Sequence, residues 1–215
     1  MSLSHIKHWV FDLDNTLYAP EIRLFDQIET LMERFIIREL GIDAQAAKDL
    51  RADFWHNHGT TLAGLMEVHG IAPDPFLDEV HDIDLAAITA SPELCARISA
   101  LDGQRIIYTN GSRWHGENVS TACGLKGAFH DIYGIEDANY RPKPEQAAFD
   151  MVFARAGVDP TLGVMFEDDP RNLIAPARMG MVTVLVGPPV EADHIHFQTT
   201  DLAGFLAEHA PGKPL

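Results

Sequence analysis

Cysteine is almost missing from this 215-residue sequence: Cys95 and Cys123 are the only two, far apart, with no CxxC pair and no Cys/His spacing suited to zinc. That excludes a disulfide framework and a structural zinc site, and it points to a reducing compartment. Long apolar runs are also missing. No stretch approaches the ~18 residues a membrane-spanning helix needs, and Met1-Ser2-Leu3-Ser4-His5 carries no charged segment followed by an apolar one. A cytoplasmic protein without membrane contact is therefore expected. Positive charge is scarce as well, with 16 Lys and Arg against 32 Asp and Glu and a formal net charge of −16. A nucleic-acid polymer is excluded as partner, because such binding draws on Lys and Arg neutralising phosphates. A small phosphorylated metabolite stays compatible, provided that a metal ion and one or two local cations reverse the sign at its site.

What is present suffices for a folded α/β chain with a modest insertion, since 46% of the residues are hydrophobic. Ile6 to Leu13 is a β-branched and aromatic run that stops at Asp-Leu-Asp-Asn, and it predicts a buried strand. Gln104–Asn110, Leu162–Asp169 and Met181–Gly187 share this design. Helices are expected between them: after Ser91-Pro92-Glu93, over Arg113 to Gly124, and from Pro144 to Gly157. Strands alternating with helices imply right-handed crossovers and a mostly parallel sheet, a Rossmann-like core. Between Asn15 and about Ala90 this rhythm breaks. Phe25, Ile28, Met32, Phe35 and Ile36 fall at helical spacing and no strand-like run occurs, so a small helical cap is expected over the strand ends. The expected division is 1–15 and 91–215 for the α/β core and 16–90 for the cap. Phe54, Trp55 and Leu65 are expected in the cap's core.

Ligands of open parallel sheets bind beyond the carboxyl ends of the strands. Asp12 and Asp14, two apart, would emerge on the same side of an extended backbone. A divalent cation can separate their roles, one carboxylate binding metal and attacking phosphorus while the other carries a proton. Thr109 and Asn110 end the second strand with hydroxyl and backbone N–H groups suited to a phosphoryl oxygen. Glu167 and Asp168 end the third with the hard oxygen ligands that Mg²⁺ prefers. Lys143, between Pro142 and Pro144 at a helix start, offers a point charge for phosphate near the helix's positive end. Arg113 and Trp114, after the second strand, are within possible reach of a substrate or simply open a solvated helix.

Taken together, these motifs resemble those of the haloacid dehalogenase superfamily. The first is matched by Asp12-Leu13-Asp14-Asn15-Thr16-Leu17-Tyr18, and the others by Thr109-Asn110-Gly111, Lys143-Pro144 and Phe166-Glu167-Asp168-Asp169. The resemblance implies Asp12 as nucleophile and metal ligand, and Asp14 as general acid/base with its backbone carbonyl on the metal. It further implies Thr109 and Lys143 on the transferring phosphoryl group, Asp168 as a second Mg²⁺ ligand, and Glu167 beside it, directly or through water. The register Phe-Glu-Asp-x-x-Arg-Asn-Leu leaves Asp169 as a first-turn acid of the next helix. Asp14 separates phosphatases from the name-giving dehalogenases, which attack carbon and use no acid two residues after the nucleophile. A sugar-phosphate phosphatase, a phosphomutase and a non-catalytic binding module of the same fold are the alternatives. The stretch from Phe54 to Leu65, with Gly59-Thr60-Thr61-Leu62-Ala63-Gly64-Leu65, is similar to the cap of pyrimidine 5′-nucleotidase-like members. That likeness implies a pyrimidine nucleoside 5′-monophosphate as substrate, with His58, Thr60 and Thr61 as candidate specificity residues and a monomer or homodimer as the assembly.

Overall fold

In the computed structural model, residues 3–210 are described. Six strands form one parallel sheet: β1 (His8–Phe11), β2 (Gln104–Tyr108), β3 (Asp131–Tyr133), β4 (Gly163–Glu167), β5 (Val182–Val186) and β6 (Phe197–Thr199). Their order in space is β3-β2-β1-β4-β5-β6, so the chain runs outward from β1 to one edge, then returns to β4 beside β1 and runs to the other. This is the doubly wound arrangement, with its switch point between β1 and β4.

Period-two alternation along the strands builds both faces of the core. Trp9, Phe11, Ile107 and Phe166 point to one side, where α5 (Pro92–Ser99), α6 (Arg113–Ala122) and α9 (Leu202–His209) cover them with Ile98, Val119 and Phe205. Val10, Ile106, Tyr108 and Met165 point to the other, against Phe149, Val152 and Phe153 of α7 (Gln146–Ala156) and Ala175 of α8 (Ile174–Arg178). The Phe11 and Phe166 rings stack nearly parallel with centroids 4.5 Å apart, which fixes the two central strands against each other directly beneath their carboxyl ends.

Between β1 and α5 the chain forms four α-helices, α1 (Leu24–Leu40), α2 (Ala44–His58), α3 (Thr61–His69) and α4 (Pro73–Val80). They share their own apolar cluster, including Ile28, Phe35, Ile36, Phe54, Leu62, Leu65, Phe76 and Val80. Gly41 ends α1 in the left-handed conformation, Asp43 caps α2 and Thr60 caps α3. A Cβ on Gly64 would collide with the Phe54 ring, so this glycine allows α2 and α3 to approach and has no contact with the cavity below.

Two expectations change. β3 and β6 each have only three residues, too short to register as a β-branched run, and were not legible as strands. Trp55 is 49% exposed, not part of the helical core, because the inward position of its turn is held by Phe54. Among the described residues, no helix is long and apolar enough to cross a membrane.

Candidate active site

Strand register gathers the polar residues. Phe11 pairs with Ile107 on one side and Phe166 on the other, so Asp12, one residue on, stands level with the ends of β2 and β4. Its amide donates to the Phe166 carbonyl at 2.8 Å, continuing the ladder to the last possible position. The chain then turns: the amides of Thr16 and Leu17 both donate to the Leu13 carbonyl, and Asn15 takes a left-handed conformation that asparagine tolerates. Asp14 therefore projects from a turn rather than from an extended strand, and a short reach is gained by the bend.

Around Asp12 sits a buried charge cluster. Lys143 Nζ donates to Asp12 Oδ1 at 2.7 Å, to Glu167 Oε2 at 2.6 Å and to the Tyr108 carbonyl at 3.1 Å. Oxygens of Asp12, Glu167 and Asp168 lie within 4.8 Å of one another. Burial, the Glu167 charge and the nearby Asp14 charge push Asp12 up to about 7, against the pull of Lys143. Burial also carries Glu167 to about 7 and, with the charge of Asp12, Asp168 to about 6. Lys143 behaves oppositely. Burial works against its charge, yet the two carboxylates hold its pKa above the ordinary lysine value. Three carboxylates sharing one ammonium are short of positive charge. A hard divalent cation would fit this oxygen set, and Mg²⁺ is the ion such carboxylates suit.

The remaining expected residues divide. Thr109 is buried, and its hydroxyl accepts from the Gly111 amide at 2.9 Å. Asn110 uses its side chain on the backbone of Lys143, accepting from its amide at 2.8 Å and donating to its carbonyl at 3.1 Å. The lysine loop is thus clamped by the asparagine. Lys143 itself precedes α7 by three residues, and its ammonium is placed by the carboxylates, not by the positive end of that helix. Asp169 accepts from the Arg171 amide as the cap of a 3-10 turn, Pro170–Leu173, and pairs with the Arg171 guanidinium at 2.6 Å, which leaves Glu167 as the partner of Asp168. Arg113 turns away to Asp131 and Asp137, and Trp114 is exposed; neither lines the cavity.

A cavity of about 460 Å³ opens above the cluster, with Asp12, Asp14, Lys143 and Asp168 at its floor. Its upper wall comes from the helical insertion: Phe25, Ile28, Met32, Leu62 and Phe76, with Arg51 and Glu29 as polar groups. Arg51 Nη1 donates to Glu29 at 2.6 Å and its Nε to Glu33 at 3.1 Å. At the rim the Arg171 guanidinium lies 3.9 Å from the Trp55 ring centroid, joining the loop after β4 to α2. Of the three candidate specificity residues, Thr60 and Thr61 line the cavity. His58 does not: it faces Glu67 at 2.8 Å. The Thr60 hydroxyl accepts from the Ala63 amide, and the buried Thr61 hydroxyl lies 3.5 Å from the Arg51 carbonyl.

Sequence reasoning missed the surroundings of Asp14. His115 Nε2 donates to Asp14 Oδ1 at 2.9 Å, and the Tyr18 hydroxyl donates to the same oxygen at 2.8 Å. Burial works to raise Asp14, but these two partners outweigh it and hold its pKa below the ordinary value. A signal did exist in the sequence. With Ser112 as cap, His115 and Val119 share the inward face of α6 at a spacing of four.

Comparison with known proteins places the chain by family and fold. A curated relative, validoxylamine A 7′-phosphate phosphatase of Streptomyces hygroscopicus subsp. limoneus, is 24% identical over 194 residues, covering 81% of this chain and 83% of its own length. Among solved structures, a HAD phosphatase from Thermococcus onnurineus superposes with a TM-score of 0.67 at 16% identity, over 98% of this chain and 100% of that one. The HAD-hydrolase YfnB from Bacillus subtilis, bound to magnesium, gives 0.61 at 16% identity, over 95% and 99%. At such identities these two show the shared fold. The family described as haloacid dehalogenase-like hydrolase matches residues 6–180, a span that runs from β1 through the acidic residues after β4, and the chain belongs to that family.

Proposed function

We propose that this hydrolase is a Mg²⁺-dependent phosphatase that cleaves a small phosphomonoester through an aspartyl-phosphate on Asp12. The observation that carries the reading is the cluster of Asp12, Lys143, Glu167 and Asp168 at the floor of the cavity, with a further, separately held carboxylate, Asp14, on the same floor. Mg²⁺ among these oxygens would supply positive charge to the phosphoryl group. Asp12 attacks phosphorus, the ester P–O bond breaks, and Asp14, entering this step in its protonated form, gives that proton to the departing oxygen and is left as a carboxylate. Water then attacks the aspartyl-phosphate while Asp14 takes up its proton, releasing phosphate and restoring Asp12. Lys143 and the Thr109 end of β2 hold the phosphoryl oxygens, and Asn110 acts through the lysine loop. Asp14 also favours phosphorus over carbon as the centre attacked, since a halide leaves without a proton.

A nucleoside 5′-monophosphate with a pyrimidine base is the first substrate to examine. An aromatic and aliphatic upper wall with one guanidinium–carboxylate pair suits a flat ring bearing donors and acceptors, and about 460 Å³ lies in the ~300–1,000 Å³ range of small-molecule sites. A sugar phosphate is the second reading, since the phosphatase relative acts on validoxylamine A 7′-phosphate and not on a nucleotide. The experiment is phosphate release, with and without Mg²⁺, from p-nitrophenyl phosphate and then from a panel of UMP, CMP, hexose phosphates and acetyl phosphate. No Mg²⁺-dependent release from any of them would sink the phosphatase reading, and a hexose phosphate leading the panel would replace the nucleotide.

A further inference from the structure

Asp14 is gripped from one side. Oδ1 receives both the Tyr18 hydroxyl at 2.8 Å and His115 Nε2 at 2.9 Å, while Oδ2 has only the longer 3.2 Å approach of the same imidazole nitrogen. Two donors on one oxygen leave the other as the oxygen with capacity for a reacting partner. His115 is itself immobilised. It is buried within α6, and its ring stacks on the ring of His81 with centroids 4.3 Å apart and planes 19° apart. His81 is also buried, and burial with the neighbouring His115 charge holds it neutral, at about 3. It closes α4, in the helical insertion, and its Nδ1 lies 3.0 Å from Ser112 Oγ, the hydroxyl that caps α6 by accepting from the His115 amide. Gly111 makes room for the His115 ring: a Cβ there would stand 2.9 Å from His115 Cδ2, while His81 Nε2 would be at an ordinary contact distance of 3.5 Å. Space-filling alone would not require an imidazole nitrogen directed at a carboxylate.

We infer that His115, braced by His81, is a positioning residue that fixes the Asp14 carboxylate with Oδ2 toward the leaving-group oxygen. The inference rests on the phosphatase reading above. Because His81 belongs to the insertion, Asp14 is fully held only when the insertion is seated on the core. The insertion then does more than enclose substrate: it completes the group that transfers the proton.

The test compares kcat/KM for β-glycerophosphate, whose alkoxide needs a proton to leave, with that for p-nitrophenyl phosphate, whose phenolate does not. His115→Phe keeps the stacked ring and removes the donor; His115→Gln keeps a donor of similar reach. Loss of orientation should lower kcat/KM about 100-fold for β-glycerophosphate and less than about tenfold for the aryl ester, with the glutamine variant recovering most of the difference. His81→Ala and Tyr18→Phe should show the same selective pattern at smaller size, and they carry the test if His115→Phe fails to fold by circular dichroism. Equal losses on both substrates in folded variants, or a glutamine variant no better than phenylalanine, would overturn the inference while leaving the phosphatase intact. A wild-type protein that releases phosphate from neither ester would overturn the reading beneath it.

Discussion

At the scale of single residues, the site separates the group that forms a bond from the groups that place it. Asp12→Asn preserves shape but removes nucleophilicity and a charge for the metal, and turnover should fall by at least about 10³-fold, measured as phosphate released at saturating Mg²⁺. A variant retaining a tenth of the activity would exclude the covalent route. Asn110 is a different case, because its amide touches the backbone of Lys143 at two points and nothing else in the site. Asn110→Ala leaves two backbone groups without that partner. A net loss of about 1–3 kcal/mol is expected, which for a chain of this length corresponds to a melting midpoint lower by roughly 2–4 °C per kcal/mol. Activity should drop with it, since the loop holding Lys143 is released. An unchanged midpoint together with reduced kcat would move Asn110 from the scaffold to the substrate.

Elements act through the rim. Trp55 from α2 and Arg171 from the loop after β4 meet face to face at the cavity's edge, and a contact of this kind contributes about 0.5–1 kcal/mol when partly exposed. Trp55→Ala should raise KM for a nucleoside monophosphate about three- to tenfold and leave acetyl phosphate, too small to reach the rim, nearly unaffected; steady-state kinetics on both substrates decides. If acetyl phosphate suffers equally, the pair holds the insertion in place and does not read the substrate. Thr60 has a local duty as cap of α3. Thr60→Ala should cost about 1 kcal/mol of stability, read as a lower denaturation midpoint, with the order of preferred substrates kept. Some helix ends of this kind were legible in the sequence: Ser91 and Gly157 each sit where a cap or stop signal put them. The rim was not legible. Trp55 and Arg171 are far apart in sequence, and only the packing of α2 over the loop after β4 makes them neighbours.

For the molecule as a whole, the balance between buried acids and a cation should govern stability against pH. Without metal, Asp12 and Glu167 titrate at about 7 and Asp168 at about 6, all above their ordinary values of 3.8 to 4.5. The native state then holds more protons than the unfolded chain between about pH 4 and 7. Stability from these groups is present below the unfolded values and is lost as pH rises through the folded ones. Chelator-treated protein should therefore melt at lower temperature at pH 8 than at pH 5.5, as far as this cluster decides. Mg²⁺ should reverse the trend, because it binds the deprotonated carboxylates, and its stabilising increment should grow with pH. Thermal denaturation at the two pH values, with and without Mg²⁺, gives the four midpoints required. A metal increment that shrinks toward pH 8 would mean that the cluster is not the metal site.

Local chemistry in the sequence was enough for the four inner strands, the helical insertion and the acidic residues at the strand ends, but not for β3 and β6. Four short apolar runs, three of them ending in polar residues, determine the inner strands, because a buried parallel strand must be apolar throughout and can expose polar groups only at its ends. The order of Asp12, Asp14, Thr109, Lys143 and Asp168 along the chain follows from that. Tertiary structure alone decided what surrounds each carboxylate. His115 lies 101 residues from Asp14, Lys143 lies 131 from Asp12, and Arg51 must be carried over the strand ends by helices to line the same cavity. Whether a histidine is a surface residue or the brace of an acid depends on which groups the fold desolvates together, and desolvation is a property of the packed chain, not of any stretch of it.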